Sequence, residues 1–380
     1  MRLPRRISDR LFGPDHLRAD GSVRHAPEWL ILVVNNTCNL KCKMCDVGLG
    51  EASTAFYTHL VSDDPRNMSL EVLDRALDQA AQFRPKPKVG LAFTEPLLHR
   101  FIVEMCRRIK ERGFVCQITT NGFLLERRAE ELVRLGLDQL TVSLDGPPDV
   151  HDRVRGRAGS FERAVKGIRA VNEAKLEQGV SAPDVQVSYT ITDENYTDMS
   201  AFVEHMRPLK LKRLIFSQLN YITEGMADVH NETAGDLVPM SRSNLGTMNL
   251  SAIDLDRLWD ALGTLRNAAG QPGTPPIQLV PNLQSKADLD TYYQDPFAFV
   301  SGRRCTDPWT MVMVRTEGSV VPAHGRCFDY ALGSIYENTL TELWNGERAR
   351  TLRRRLFEAG GTFPACSRCC GVINKPKAQA

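Results

Sequence analysis

The chain has 380 residues, 42% of them hydrophobic, so it can bury a large core without disulfide bridges. A formal net charge of +2 argues against a nucleic-acid-binding or membrane-binding surface, and no apolar segment approaches the roughly 20 residues that cross a bilayer. The basic residues 1–10 are not followed by the apolar core of a signal peptide. We therefore expect a cytoplasmic protein whose ten cysteines act as metal ligands or reactive thiols rather than as disulfides.

The first part of the chain alternates short β-rich segments with helical patterns. Strands are predicted at residues 29–35, 88–93, 115–120, 139–144, 185–191 and 213–217. Helices are predicted at residues 69–83, 98–113, 126–136 and 160–178, with Ser69 and Ser160 as N-caps and Gly113 and Gly136 as C-terminal stops. This alternation predicts an α/β fold with a parallel sheet and right-handed crossovers. The periodicity fits either a doubly wound sheet or a partial barrel.

The alternation ends at about residue 222. Residues 223–300 contain one clear amphipathic helix near 253–267 and a Pro/Gly-rich break at 271–276. From residue 302 onwards the sequence predicts a β-hairpin with strands at 312–314 and 319–321, and then a helix over 339–357. The arginines at 353–355 are predicted to lie on the solvated face of that helix.

Three cysteines, Cys38, Cys42 and Cys45, share a short loop directly after the first predicted strand. A parallel α/β fold places its active-site loops at this position. Three thiolates can hold three irons of a four-iron cluster, which leaves the fourth iron open to a small molecule. A structural zinc site usually has four Cys or His ligands, and this loop contains no His, so zinc would need a distant partner.

The Cys-x-x-x-Cys-x-x-Cys spacing after the first strand resembles that of the radical S-adenosylmethionine superfamily, with Met44 at the apolar position before the last cysteine. Over residues 29–222 the resemblance implies a partial (β/α)6 barrel. It implies that the open iron of a [4Fe–4S] cluster binds the amino and carboxylate groups of S-adenosylmethionine. Reductive cleavage would then release a 5′-deoxyadenosyl radical that abstracts hydrogen from the substrate. A reducing partner such as flavodoxin or ferredoxin is implied as well.

The resemblance extends to residues at the ends of the later strands. Glu95 and Pro96 match the end of a Gly-Gly-Glu-Pro motif that binds the methionine amino group, whereas Phe93 and Thr94 replace its two glycines. Ser143 and Asp145 would contact the ribose, and Arg155 would pair with the methionine carboxylate. The full set assigned to cofactor binding is Met44, Glu95, Asn121, Ser143, Asp145, Arg155 and Ser188. No catalytic acid or base is assigned, and His151 is predicted to be structural.

A second cysteine set lies near the C-terminus, where four thiolates would complete a metal site without an open position. Either zinc or an iron–sulfur cluster satisfies this number of ligands. The hairpin, Gly333-Ser334-Ile335, Leu343-Trp344-Asn345 and the last Cys-x-x-Cys resemble the SPASM/twitch extension of radical S-adenosylmethionine enzymes. Five cysteines are too few for two clusters, so the resemblance implies the twitch form with one auxiliary [4Fe–4S] cluster. Its predicted ligands are Cys305, Cys327, Cys366 and Cys369, with Cys370 able to replace Cys369.

The predicted organisation is an N-terminal extension (1–28), a partial-barrel core (29–222), a mixed capping and substrate segment (223–300) and an auxiliary-cluster domain (301–380). A closed auxiliary cluster suits electron transfer, so we expect the net oxidation of a small polar metabolite such as a sugar, an aminocyclitol or a natural-product intermediate. Peptide-modifying relatives often carry a leader-binding domain of roughly 80 residues, and only 28 residues precede the first strand here. Radical cross-linking or maturation of a peptide or protein is the alternative, and a non-enzymatic zinc-binding α/β protein comes third. No nucleic-acid or membrane partner is expected.

Overall fold

The computed structural model describes residues 20–60, 66–300, 304–322 and 327–373. The strands in this part of the chain are β1 Trp29–Leu32, β2 Lys88–Leu91, β3 Cys116–Thr120, β4 Gln139–Ser143, β5 Asp184–Ile191, β6 Arg213–Gln218, β7 Ile277–Val280, β8 Met311–Val314, β9 Ser319–Val321 and β10 Gly333–Ser334. They form one sheet in the order β10-β9-β8-β1-β2-β3-β4-β5-β6-β7.

The helices connect the strands and pack around the sheet. Those of the first half are α1 Asp46–Leu49, α2 Ala55–Leu60, α3 Leu70–Ala80, α4 Ile102–Glu111, α5 Ala129–Arg134, α6 Pro148–Arg155, α7 Ser160–Glu177 and α8 Met199–Met206. Those of the second half are α9 Glu224–Ala234, α10 Leu255–Ala268, α11 Lys286–Gln294, α12 Asp307–Thr310, α13 Leu340–Trp344, α14 Glu347–Glu358 and α15 Cys370–Ile373. In the described part of the chain, none of these helices combines the length and the apolar character needed to cross a bilayer.

The order of the first six strands decides between the two architectures that the periodicity left open. β1 to β6 lie side by side in chain order, and every neighbouring pair is parallel. A doubly wound sheet reverses its strand order at a switch point, and this sheet does not. Because right-handed crossovers between sequential neighbours all pass over the same face, the helices lie on the outside of a partial barrel. The predicted α/β partial barrel is confirmed.

Both edges of this barrel sheet are extended by strands from the second half of the chain. β7 pairs in parallel with β6, and β8 pairs in parallel with β1 from Trp29↔Met311 to Leu32↔Val314. β8 and β9 form the predicted antiparallel hairpin, so the hairpin is confirmed. The sequence did not predict β7 or the pairing of the hairpin with β1, through which the C-terminal region shares a sheet with the core.

Of the two N-caps that the sequence predicted, one is confirmed and the other is wrong. Ser69 is the N-cap of α3, as predicted, because its hydroxyl accepts a hydrogen bond from the Val72 amide at 3.1 Å. The prediction for Ser160 is wrong. Gly159 is the N-cap of α7, and the Asp152 side chain of α6 accepts hydrogen bonds from the amides of Gly159 and Phe161.

The predicted helix at 339–357 is broken at Asn345 into α13 and α14. The Asn345 side chain pairs with the backbone of Val23, accepting from its amide and donating to its carbonyl at 2.9 Å each. The prediction that Arg353 is solvated is also wrong. Arg353 is only 1% exposed, donates to the Pro308 carbonyl at 2.8 Å and stacks on the Trp344 ring.

Candidate functional site

The carboxyl ends of β1 to β6 surround a cavity of about 270 Å³. Eight of the residues that the sequence predicted as cofactor or metal contacts line it: Cys38, Cys42, Met44, Cys45, Glu95, Asn121, Ser143 and Arg155. Further lining residues come from helix α2, from the same strand ends and from the capping segment: Phe56, Phe93, Thr94, Thr119, Thr120, Thr190, Leu219, Asn220 and Asn244. The parallel sheet brings these distant positions together because its carboxyl ends all meet at one edge.

The loop that carries the first three cysteines is held against the C-terminal end of α6. The amides of Lys41 and Lys43 donate to the carbonyls of Arg155 and Val154 at 3.2 and 3.0 Å. Gly156 follows with a φ of +66°, and a Cβ at this position would lie 2.4 Å from the Lys41 carbonyl oxygen. A glycine is therefore required here for α6 to support the cysteine loop.

Two of the three thiols lie beside side-chain donors that favour negatively charged sulfur. The Arg155 guanidinium is 3.6 Å from Cys42 Sγ, and the Asn121 amide is 3.9 Å from Cys38 Sγ. Burial, followed by the charge of neighbouring Cys42, raises the pKa of Cys45 to about 12. A buried thiol with such a pKa needs a strong electrophile to become a thiolate, and the irons of a cluster provide one. The three sulfurs and the adjacent cation therefore fit a three-thiolate cluster site.

Glu95 is 1% exposed and is fixed by three hydrogen bonds. Its carboxylate accepts from the Thr120 hydroxyl at 2.6 Å, the Asn121 amide at 2.7 Å and the Leu97 amide at 3.0 Å. Burial raises the pKa of Glu95, and the three donors partly counteract this. A carboxylate held in this way at the cavity can accept a hydrogen bond from an ammonium group.

Asp145 and Arg155 form a buried ion pair next to the cysteine loop. The Arg155 Nε lies 2.5 Å from a carboxylate oxygen of Asp145, and the other oxygen accepts from the Thr190 amide at 2.7 Å. Burial lowers the pKa of Arg155, but the Asp145 carboxylate and Cys42 together raise it above its ordinary value. Arg155 lines the cavity as a permanent cation, and Asp145 holds it from behind.

Two predicted contacts lie away from the cavity surface. Among the described residues that line the cavity, neither Asp145 nor Ser188 occurs. Ser188 pairs in register with Ser143, and Thr190, two residues further along β5, lines the cavity instead. The contacts of Ser188 and Asp145 with a cofactor stay predictions, and in the structure Asp145 pairs with Arg155, which lines the cavity.

An aromatic pair forms a wall of the cavity that the sequence did not predict as a site. The rings of Phe56 and Phe93 lie 6.4 Å apart, and both pack against an apolar cluster that includes Ile31, Val33 and Met313. Phe93 has a φ of +90°, a conformation that glycine adopts more easily. The backbone at this position therefore has a conformation typical of glycine, although the residue carries a phenyl ring. The replacement of glycine by Phe93 was the sequence signal for this wall.

The capping segment reaches the cysteine loop through Asp46, which follows Cys45. Its carboxylate accepts from the Ser243 hydroxyl and the Asn244 amide, both at 2.7 Å. The Asn244 side chain in turn donates to the Asn220 side chain at 3.0 Å at the cavity wall. No sequence pattern links residues about 200 positions apart, so this contact could not have been predicted.

The four predicted C-terminal ligands lie in one buried region. Burial raises the pKa of Cys305 well above its ordinary value, and Asp307, Cys366, Cys369 and Cys327 raise it further in that order. Burial, together with Cys366 and Cys369, likewise raises the pKa of Cys327. Four thiols that influence one another in this way fit a closed four-thiolate cluster site.

The described residues contain no group of three or more His, Cys, Asp or Glu side chains that could hold a single metal ion. A four-iron cluster binds its thiolates through different irons, so its ligands need not converge on one atom.

Comparison with known proteins agrees with these two sites. A family model described as the radical SAM superfamily matches residues 32–205, and one described as an iron-sulfur cluster-binding domain, SPASM, matches residues 305–370. The chain is 24% identical over 369 residues to the tungsten-containing aldehyde ferredoxin oxidoreductase cofactor-modifying protein of Pyrococcus furiosus, covering 90% of this chain and 87% of that protein. It is 23% identical over 379 residues to pre-heme d1 synthase of Dinoroseobacter shibae, covering 94% and 83%.

Solved structures share the fold. Streptococcus suis SuiB bound to S-adenosylmethionine superposes with a TM-score of 0.60 at 16% sequence identity, covering 89% of this chain and 70% of that one. Native anSMEcpe with bound AdoMet superposes with a TM-score of 0.55 at 17% identity, covering 84% and 81%.

Proposed function

The chain belongs to the radical S-adenosylmethionine superfamily and carries a C-terminal SPASM domain, and on this basis we propose that it oxidises a small non-peptide substrate. With S-adenosylmethionine and the two clusters bound, one electron from a reducing partner would release a 5′-deoxyadenosyl radical that removes a hydrogen atom from the substrate, and the auxiliary cluster would accept the electron that remains on the substrate. The substrate we favour is a small polar metabolite or a cofactor precursor.

The observation that carries the proposal is the placement of Cys38, Cys42 and Cys45 around one cavity with Glu95 and Arg155. The thiols would hold the cluster. Glu95 would accept a hydrogen bond from the methionine ammonium group, and Arg155 would pair with the methionine carboxylate. The zwitterionic end of S-adenosylmethionine thus meets one anion and one cation, each fixed by its own partners.

The auxiliary cluster would be held by Cys305, Cys327, Cys366 and Cys369. Four protein thiolates leave no iron open to substrate, so a cluster bound in this way suits electron transfer. Loss of a hydrogen atom leaves a substrate radical with one electron to give up, and a proton leaves with the oxidation. An acceptor inside the protein makes the net reaction a two-electron oxidation of the substrate.

Two relatives support the choice of a small substrate. The name of the Pyrococcus furiosus protein describes the modification of a cofactor, and that of the Dinoroseobacter shibae protein describes the synthesis of pre-heme d1. Both align with this chain along most of their length. The aromatic wall of Phe56 and Phe93 gives the cavity an apolar surface against which a ring-shaped or branched substrate could pack.

The test is iron and sulfide content after anaerobic reconstitution. The intact chain should bind about eight irons, and the triple variant Cys38→Ala, Cys42→Ala, Cys45→Ala should bind about four and no longer cleave S-adenosylmethionine. The double variant Cys106→Ala, Cys116→Ala is the matched control, because both of these cysteines are fully buried in the core and should not affect the iron content. About four irons in the intact chain and none in the triple variant would refute the auxiliary cluster and, with it, the oxidation.

A further inference from the structure

The loop between Cys366 and Cys369 contains a fully buried arginine, Arg368. Its guanidinium donates to the backbone carbonyls of the last turn of α11 and the turn that follows, at 2.7 to 2.9 Å; these belong to Thr291, Tyr292, Asp295 and Ala298. The last carbonyls of a helix have no partner within the helix, and a cation at this end also interacts favourably with the helix dipole. Arg368 therefore joins the cysteine loop firmly to the end of α11.

The same end of α11 holds one wall of the cavity through phenol hydroxyls. The Tyr292 hydroxyl donates to the Leu219 carbonyl at 2.7 Å, and the Tyr293 hydroxyl donates to the Gln218 side chain at 2.6 Å. The Tyr221 hydroxyl donates to the Tyr292 carbonyl at 3.1 Å, and this carbonyl also accepts from Arg368. Leu219 lines the cavity. A continuous chain of buried hydrogen bonds thus runs from the cysteine loop to the cavity.

We propose that Arg368 is a positioning residue that couples the C-terminal cysteine loop to the cavity wall at residues 218–221. The inference rests on the proposed assignment of Cys366 and Cys369 as auxiliary-cluster ligands. A loop ordered by those ligands holds Arg368 against α11, and α11 holds Leu219 in place. Assembly of the distant site therefore organises the cavity that binds S-adenosylmethionine.

The experiment compares Arg368→Gln and Arg368→Lys with Arg266→Gln in anaerobically reconstituted protein. Arg368 also stacks on the Tyr292 ring. Arg266 is the matched control, because it too donates to a backbone carbonyl, that of Leu283, and stacks on an aromatic ring, that of Trp259, but does not belong to the cysteine loop. The readouts are amide hydrogen exchange, iron content, the electron paramagnetic resonance spectrum of the auxiliary cluster, and the dissociation constant of S-adenosylmethionine.

We expect Arg368→Gln to increase amide exchange at residues 218–222 and 291–298 by roughly tenfold and to weaken S-adenosylmethionine binding by about the same factor. Its auxiliary-cluster spectrum should change as well. Arg368→Lys keeps the charge and should restore part of the protection, whereas Arg266→Gln should leave residues 218–222 as in the intact protein. Full iron content in Arg368→Gln together with exchange at 218–222 within about twofold of the intact protein would overturn the proposal.

A Cys366→Ala variant separates the coupling from the assignment of the ligands. This variant keeps Arg368, and loss of about four irons together with faster exchange at 218–222 supports both proposals. Loss of those irons with unchanged exchange overturns the coupling alone. Unchanged iron content contradicts the ligand assignment, and the exchange measured for Arg368→Gln then decides whether the loop still positions the wall.

Discussion

At the scale of single residues, His151 shows how the cavity cation is held in place. Its Nδ1 accepts a hydrogen bond from the Asp145 amide at 3.0 Å, and its ring is 0% exposed. The accepting nitrogen carries no proton, so the ring is neutral in this arrangement. Burial, assisted by the Arg155 cation, lowers the pKa of His151 to about 3. The sequence prediction that His151 is structural agrees with this contact.

This lowered pKa predicts a loss of stability in acid. The unfolded chain protonates His151 near its ordinary pKa of about 6.5, and the folded chain does so only near the lowered value, so protons favour unfolding between the two. The contribution is fully present above the ordinary pKa and decreases as the pH falls towards the lowered one. His151→Asn retains an acceptor but does not titrate in this range. When the pH is lowered from about 7.5 to 5, we expect the unfolding free energy of the intact chain to fall by about 2 kcal/mol more than that of the variant.

Urea unfolding at a series of pH values measures this difference. The internal control is the range above about pH 7.5, where His151 is neutral in both states and the difference between the two proteins should stay constant. Parallel pH dependences across the acid range would show that protonation of His151 is not linked to folding.

At the scale of secondary-structure elements, the close approach of the end of β3 to β4 and α7 depends on Gly122. This residue follows Asn121 of the cavity with a φ of +77°. A Cβ here would lie 2.8 Å from the Ala164 Cβ on α7 and 2.9 Å from a Val142 methyl group on β4. The sequence Asn121-Gly122 predicted a turn, but it did not predict the close packing of Gly122 against Ala164 and Val142.

Gly122→Ala should therefore destabilise the fold by about 2–4 kcal/mol, because the left-handed backbone and the overpacking both add a cost. Gly159→Ala is the matched control. Gly159 has a similar φ of +73°, but a Cβ at this position would lie more than 4 Å from every described residue other than its two chain neighbours. It should cost only about 1–2 kcal/mol. Denaturant unfolding of both variants gives the comparison, and equal costs would mean that β3, β4 and α7 do not pack this tightly.

At the scale of the whole molecule, the C-terminal region completes the barrel sheet. β8 pairs with β1 over four residues, and Met311, Val312, Met313 and Val314 are all buried. Because β1 also precedes the first cysteine loop, the two cluster regions share one sheet as well as the hydrogen-bond chain through Arg368. This arrangement implies that the core and the C-terminal region fold as one cooperative unit.

A chain that ends after residue 300 should therefore aggregate, because removal of β8 exposes the edge of a parallel, apolar strand. Supplying residues 301–380 as a separate chain should restore part of the soluble protein. Size-exclusion chromatography with light scattering measures both effects. A soluble monomer of residues 1–300 that still binds S-adenosylmethionine would show that the shared sheet is not needed for folding.

The sequence alone determined those features that depend on residues close together in the chain, or on the regular spacing of apolar residues along a strand or a helix. Cys38, Cys42 and Cys45 lie within one loop, so their spacing was enough to predict their common site. Glu95, Asn121 and Ser143 lie at or shortly after the ends of β2, β3 and β4, and parallel strands bring their carboxyl ends to one edge whatever the details of packing. The six core strands and the hairpin were predicted for the same reason.

Only the tertiary structure decided the contacts between segments far apart in the chain. The pairing of β8 with β1, the contact of Asp46 with Asn244 and the contact of Arg368 with Tyr292 leave no periodic signal in the sequence. Arg353 shows the same limit. A charged residue on a helix is predicted to face solvent, and only the tertiary structure shows that Arg353 is buried and donates to the carbonyl of Pro308. Such contacts depend on the full set of packing partners. The physical reason is that a buried polar group is stable only where the fold brings it complementary donors or acceptors.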